Sequence, residues 1–96
     1  MEKQTTRPQT LEAAMTLHSA GKLEAAADIY ATLLAQGKDN PDAAYGLGTI
    51  LIQKGQIDQA LPLLDQARRA RPVVPAFAFS HAWALARLDR LGQIGS

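Results

Sequence analysis

The chain has 96 residues, a formal net charge of +1 and no cysteine. So small a charge gives no field that would favour nucleic acid or an anionic membrane, and the lack of cysteine excludes disulfides and cysteine-bound metals. No apolar run approaches the roughly 20 residues that span a bilayer, and no hydrophobic stretch follows the charged N-terminus, so we expect a cytoplasmic protein.

The length suits one small domain, and abundant alanine and leucine favour helices over strands. Residues 1–6 are polar and are predicted to form a flexible N-terminus. The amphipathic stretches that follow predict helices at about 8–20, 24–36, 41–54, 58–71 and 75–88.

Glycines and prolines mark the ends of these helices. Gly21 and Gly55 stand where a helix commonly ends in a left-handed residue, which glycine adopts without a side-chain penalty. Pro62 is expected in the first turn of the fourth helix, where a missing N–H costs little. Three further prolines separate one helical hairpin from the next: Pro41, Pro72 and Pro75.

The chain repeats itself at an offset of 34 residues. Gly21 falls on Gly55, and small residues fall on small ones and large on large along the alignment, as at Ala26 and Ala60. The repeat predicts a single domain over residues 7–94, made of a first unit at 7–40, a second at 41–74 and a partial third at 75–94.

The second unit resembles the tetratricopeptide repeat (TPR) family. The positions that carry the resemblance are Tyr45, Leu47, Gly48, Leu51, Gly55, Ala60, Leu64, Ala67 and Pro72. The first unit departs from the pattern, with Ala13 and Ala14 in place of Leu-Gly and Lys38 in place of proline. The resemblance implies an all-α fold in which five helices form antiparallel hairpins, stacked as a short right-handed solenoid. It also implies a non-catalytic protein–protein interaction module.

Small residues within each unit are expected to bring its two helices close together. Ala14 and Ala26 fill these places in the first unit, and Gly48 and Ala60 fill them in the second. A leucine at any of them would overpack the hairpin.

No residue pattern indicates catalysis, a cofactor or a metal site. His18 and His81 are far apart in the sequence, and neither has a partner at metal-ligand spacing. His18 is expected to be solvated, and His81 to be packed and hydrogen-bonded. The cluster of Arg68, Arg69 and Arg71 indicates a solvated helix end or, alternatively, a site for an acidic partner.

The resemblance implies that the first helix of each unit lines a concave groove for a partner. The predicted groove residues are Leu11, Met15, Tyr45, Thr49, Ile52, Gln53, Phe79, Trp83 and Arg87. Phe79 and Trp83 lie four residues apart, so they either anchor a ligand or pack at the end of the array. The groove lacks the cations that a carboxylate clamp needs. We therefore expect an apolar peptide or an amphipathic helix as partner, in an adaptor or chaperone-like role.

The third unit lacks most of its second helix, which Leu91 and Ile94 are expected to begin. The fifth helix would then keep an uncovered apolar side at Ala78, Ala82, Leu85 and Leu88. Leaving Phe77, Leu85 and Leu88 exposed would weaken so small a domain. Three explanations are open: the array continues in a longer protein, the open end forms a homodimer as part of a structural scaffold, or a different protein docks there.

Overall fold

The computed structural model describes residues 10–36 and 40–95, and every regular element among them is an α-helix. These elements are α1 (Leu11–Ser19), α2 (Leu23–Ala35), α3 (Pro41–Gln53), α4 (Ile57–Ala70) and α5 (Pro75–Gly95). The predicted all-α class with five helices is thus confirmed, and the segment predicted to be flexible, residues 1–6, lies outside the described residues. No described helix has the length and apolarity needed to cross a bilayer.

Side-chain caps begin the first helix of each complete hairpin. Thr10 accepts a hydrogen bond from the backbone N–H of Ala13 at 3.1 Å, and Asn40 does the same for Ala43 at 3.1 Å. Pro41 occupies the first turn of α3, where its missing N–H removes no helical hydrogen bond. The caps fix where α1 and α3 start, and these are the helices that carry the groove side chains described below.

The two turns within hairpins have the same geometry. Gly21 and Gly55 both have a φ of 82°, the left-handed conformation. The residue after each glycine donates back to the preceding helix, Lys22 to the Leu17 carbonyl at 2.9 Å and Gln56 to that of Leu51 at 2.8 Å. This is the Schellman arrangement that glycine permits. The second helix therefore leaves both turns in the same direction.

Small residues let the paired helices touch. Ala14, Ala26 and Ala60 are fully buried, and a Cβ added to Gly48 would lie 2.9 Å from a methyl carbon of Leu64. These contacts agree with the predicted close approach of the helices within each hairpin. Between the hairpins, a Cβ at Gly46 would overlap the ring of Tyr30, which is buried in the first core cluster.

The end of the third unit differs from the prediction. No turn ends the fifth helix near residue 88, and no sixth helix begins at Leu91, because α5 continues through residue 95. Position 89, which is 34 residues after Gly55, holds Asp89. A β-carbon there disfavours the left-handed conformation that both earlier turns require, so the helix continues.

Two apolar residues of α5 are better covered than predicted. Phe77 is buried with Ala44 and Ala67, and Leu88 is half-buried against the cluster that contains Leu64. The expectation that both would be exposed was therefore wrong, and Leu88 does not belong to the uncovered side of α5. Leu85, in contrast, is 47% exposed, as expected.

Pro62 also lies elsewhere than predicted. It is inside α4, in the second turn, because that helix begins at Ile57. The Asp58 carbonyl therefore has no helical N–H partner at position 62. Pro62 is exposed, so water can satisfy that carbonyl.

Candidate functional site

A depression of about 510 Å³ lies between α1 and α3. Leu11 and Met15 line it from α1, and Tyr45 and Thr49 line it from α3, as predicted for the groove. Phe77 closes the floor, with its ring centroid 4.9 Å from that of Tyr45. We call this space the larger depression.

A second depression of about 250 Å³ lies between α3 and α5, and we call it the smaller depression. Its lining includes Ile52 and Gln53 from α3 and Phe79 and Trp83 from α5, again as predicted. Thr49 lines both depressions, so they adjoin each other across α3. Its hydroxyl donates to the Gly46 carbonyl at 2.8 Å, which satisfies the polar group at the boundary.

Large apolar side chains around both depressions remain open to solvent. Met15 is 52% exposed, Phe79 is 71% exposed and Trp83 is 38% exposed. Surface exposure of this kind, when contiguous, commonly marks an interaction site. Arg87, the last predicted groove residue, lies with its guanidinium carbon 5.3 Å from the Trp83 ring centroid. This cation–π contact places a positive charge at the edge of the smaller depression.

His18 is part of the groove wall, so the prediction that it is solvated was wrong. Its Nδ1 lies 3.3 Å from the Tyr30 hydroxyl and its Nε2 lies 3.2 Å from the Gln53 side-chain oxygen. Burial, with a smaller effect from the charge of Asp42, raises the pKa of Tyr30 and keeps its hydroxyl protonated. The hydroxyl can therefore donate to Nδ1 of neutral His18, whose Nε2–H then donates to Gln53.

The basic cluster is engaged within the molecule. Arg68 and Arg69 contact Asp65 at 2.5 and 2.9 Å, so the prediction of a merely solvated helix end was wrong. The hydrogen bond from Arg68, together with the nearby charge of Arg69, lowers the pKa of the Asp65 carboxyl. His81 is packed here as expected, with its Nε2 3.6 Å from an Asp65 oxygen, which exceeds hydrogen-bond distance. Arg71 lies 4.0 Å from Asp42.

The geometry offers surfaces rather than reacting groups. Within the described residues, no three His, Asp or Glu side chains converge as metal ligands. The groove's polar groups make hydrogen bonds with one another, and its walls are apolar and aromatic. Such an arrangement suits recognition of another chain by burial and shape.

Five stacked helices, two matching glycine turns and a groove on the first-helix side define the class of helical-hairpin repeat proteins. Residues 17–88 match the tetratricopeptide repeat family model, and the chain belongs to that family. Neither the curated proteins nor the solved structures gave a match to this chain. Tetratricopeptide repeats generally mediate protein–protein interaction and are typically not catalytic.

Sequence reasoning missed several residues that line the larger depression. His18 follows Leu11 and Met15 at helical spacing, so the heptad pattern of α1 could have placed it on the same face. Tyr30 reaches the groove from α2 through the space left by Gly46. No spacing within α2 would have indicated this, because the contact depends on how two hairpins stack.

Proposed function

We propose that the chain binds an amphipathic helix of another protein in the groove formed by the larger and smaller depressions. The observation that carries the proposal is the pair of adjoining apolar depressions on either side of α3, lined by exposed Met15, Phe79 and Trp83. The family's general role in protein–protein interaction supports it.

The spacing of the depressions favours a helical ligand. Packed helices lie about 8–10 Å apart, so spaces on opposite sides of α3 are separated by roughly that distance. On a ligand helix, residues i and i+7 lie on one face about 10.5 Å apart. On a β-strand, side chains on one face are separated by about 6.6 or 13 Å, which matches less well.

A polyproline helix is the closest competitor, since its three-residue repeat rises about 9 Å. It presents one side chain per turn to a groove. An α-helix presents neighbouring residues at i, i+3 and i+4 together. The larger depression, at about 510 Å³, has room for such a group of side chains.

Charges at the two depressions suggest an orientation for the ligand. Asp42 lines the larger depression, and Arg87 lies on Trp83 at the smaller one. A ligand with a basic residue beside its first anchor and an acidic residue beside its last would complement both. These rim charges would affect the association rate and salt dependence more than the final affinity.

Trp83 is the chain's single tryptophan, so its fluorescence reports on the groove directly. The probes are synthetic 16-residue peptides with leucines at i, i+3, i+4 and i+7, a scrambled version of the same composition, and a proline-rich peptide. We expect the amphipathic peptide alone to shift Trp83 emission to shorter wavelength, with the bound peptide becoming helical by circular dichroism. Preferential binding of the proline-rich peptide would contradict the helical ligand.

Substitutions in each depression test the location of binding. We expect Met15→Ala and Phe79→Ala each to weaken peptide binding by about 10- to 30-fold, since both side chains would be buried by the ligand. The matched control is Val73→Ala, because Val73 is 87% exposed and lies outside both depressions. Equal effects of all three substitutions would contradict the groove as the site.

A further inference from the structure

A different side of α5 carries a second apolar surface, which we call the lateral face, formed by Ala78, Ala82 and Leu85. The three residues follow one another at helical spacing, and all of them are exposed, Leu85 by 47%. We propose that the lateral face binds the same face of a second copy of this chain, with the two α5 helices antiparallel.

The repeat shows what this pattern of residues does elsewhere in the molecule. Thirty-four residues earlier, Ala44 and Gly48 are buried and Leu51 is half-buried on α3. They lie under α4, where the Leu64 side chain contacts the space beside Gly48. The same small–small–large pattern therefore receives a helix in the second unit. Among the described helices, none covers it in the third.

A second α5 is the helix of this chain that can still cover the face. The Ala26 face of α2 and the Ala60 face of α4 are already buried against α1 and α3, so a second copy cannot offer them without opening its own core. Alanines at the contact permit an interaxial distance near 8 Å, the short end of the usual range. With a two-fold axis at Ala82, Ala78 would lie opposite Ala86, and Leu85 opposite Phe79.

Charge selects the antiparallel direction. The first turn of α5 has no acidic residue, so its positive N-terminal end is not offset by a nearby carboxylate on the helix itself. Asp89 is exposed fourteen positions after Pro75. In the antiparallel pair, each Asp89 carboxylate would lie beside the N-terminal end of the other α5, a favourable position. In a parallel pair the two Asp89 carboxylates would lie side by side and repel.

The proposed dimer leaves the groove accessible. Trp83 and Arg87 follow Ala82 and Ala86 in the sequence, and successive helical residues point in different directions. One face of a single helix is a small interface, so we expect a weak, reversible dimer.

Sedimentation equilibrium from about 5 to about 500 μM tests the association, a range that suits a small interface. We expect the weight-average mass to rise with concentration. Ala82→Glu places two carboxylates at the two-fold axis and is expected to raise the dissociation constant at least about 100-fold. Ala31→Glu, at an exposed alanine of α2, is the control and should dimerise like the parent chain. A parent chain that stays monomeric over the whole range would overturn the proposal.

Two cysteine variants test the direction, because the chain has no cysteine of its own. Under mild oxidation, Ala82→Cys should form a covalent dimer. Ala78→Cys should not, since the two copies of residue 78 would be about 12 Å apart along the helix axis. Equal cross-linking of both variants would indicate a parallel pair and overturn the antiparallel arrangement.

Two further variants separate this proposal from the groove. Asp89→Asn is expected to weaken the dimer by about 3- to 30-fold at low salt, with the difference disappearing near 1 M salt. An unchanged dissociation constant at low salt would contradict the role of Asp89. Trp83→Ala is expected to leave dimerisation unchanged, so failure of peptide binding and failure of dimerisation are distinguishable.

Discussion

α3 and α5 are built from matching residues but have different surroundings. Ala44 and Gly48 of α3 are buried beneath α4, whereas Ala78 and Ala82, at the same places in α5, are exposed. The difference arises after the helices, not within them. Gly55 turns the chain back after α3, and Asp89 lets α5 continue. The repeat therefore encodes a helix-binding face in both units, and the glycine decides whether the chain covers that face itself.

The largest expected effect comes from overfilling the covered face. Gly48→Leu should lower the free energy of unfolding by about 2–3 kcal/mol, because even a Cβ at this position would lie 2.9 Å from Leu64. Ala82→Leu, the matching change on α5, should alter the stability of the dissociated chain by less than about 0.5 kcal/mol. Urea unfolding at low protein concentration measures both values. Similar losses for the two variants would show that Ala82 is also packed in the monomer.

A smaller effect is expected at the turns. Gly55→Ala should cost about 1–2 kcal/mol, because alanine at a φ of 82° is strained although no atom crowds the position. Asp89→Ala, at the corresponding place in α5, should cost almost nothing, since the residue there is helical and exposed. The two variants are compared by urea unfolding. A loss at position 89 as large as that at position 55 would contradict a continuous α5.

The smallest expected effect distinguishes the two seams between helices. Tyr30 lies under α3, and Leu64 occupies the corresponding place in the next unit. Burial raises the pKa of Tyr30 above its ordinary value of 10.0, so the folded chain holds the phenolic proton more tightly than the unfolded chain. Its contribution is fully present below about pH 10 and is lost as the pH rises through the folded pKa.

Tyr30→Phe should therefore remove part of the alkaline fall in stability, by less than about 1 kcal/mol at pH 11. Tyr45→Phe serves as the matched control and should keep the full alkaline fall. Thermal unfolding between pH 8 and pH 11 provides the comparison. A Tyr30→Phe chain with an unchanged alkaline slope would contradict the assignment.

Local chemistry made much of the fold predictable. Gly21 and Gly55 indicated the turns, and Ala14, Ala26 and Ala60 indicated the contacts within hairpins, because each residue type suits few other roles at such a place. The groove residues on α3 followed from helical spacing once the unit was defined.

The features that could not be predicted depend on contacts between units. His18 reaches Tyr30 and Gln53 only because three helices converge there. Phe77 is buried by the way α5 rests on Tyr45 and Ala67. No periodicity within one helix contains that information, and the same is true of the Arg71–Asp42 contact between two helices.

Gly46 has a consequence for how the molecule unfolds. By leaving room for the Tyr30 ring, it joins the first hairpin to the second through the floor of the larger depression. In a repeat protein, such contacts between neighbours set the cooperativity of unfolding. A ligand seated on this floor would contact residues from both hairpins. Occupancy of the groove would therefore raise the melting temperature of two hairpins together, and the chain would lose its structure in one step where it would otherwise fray from its first hairpin.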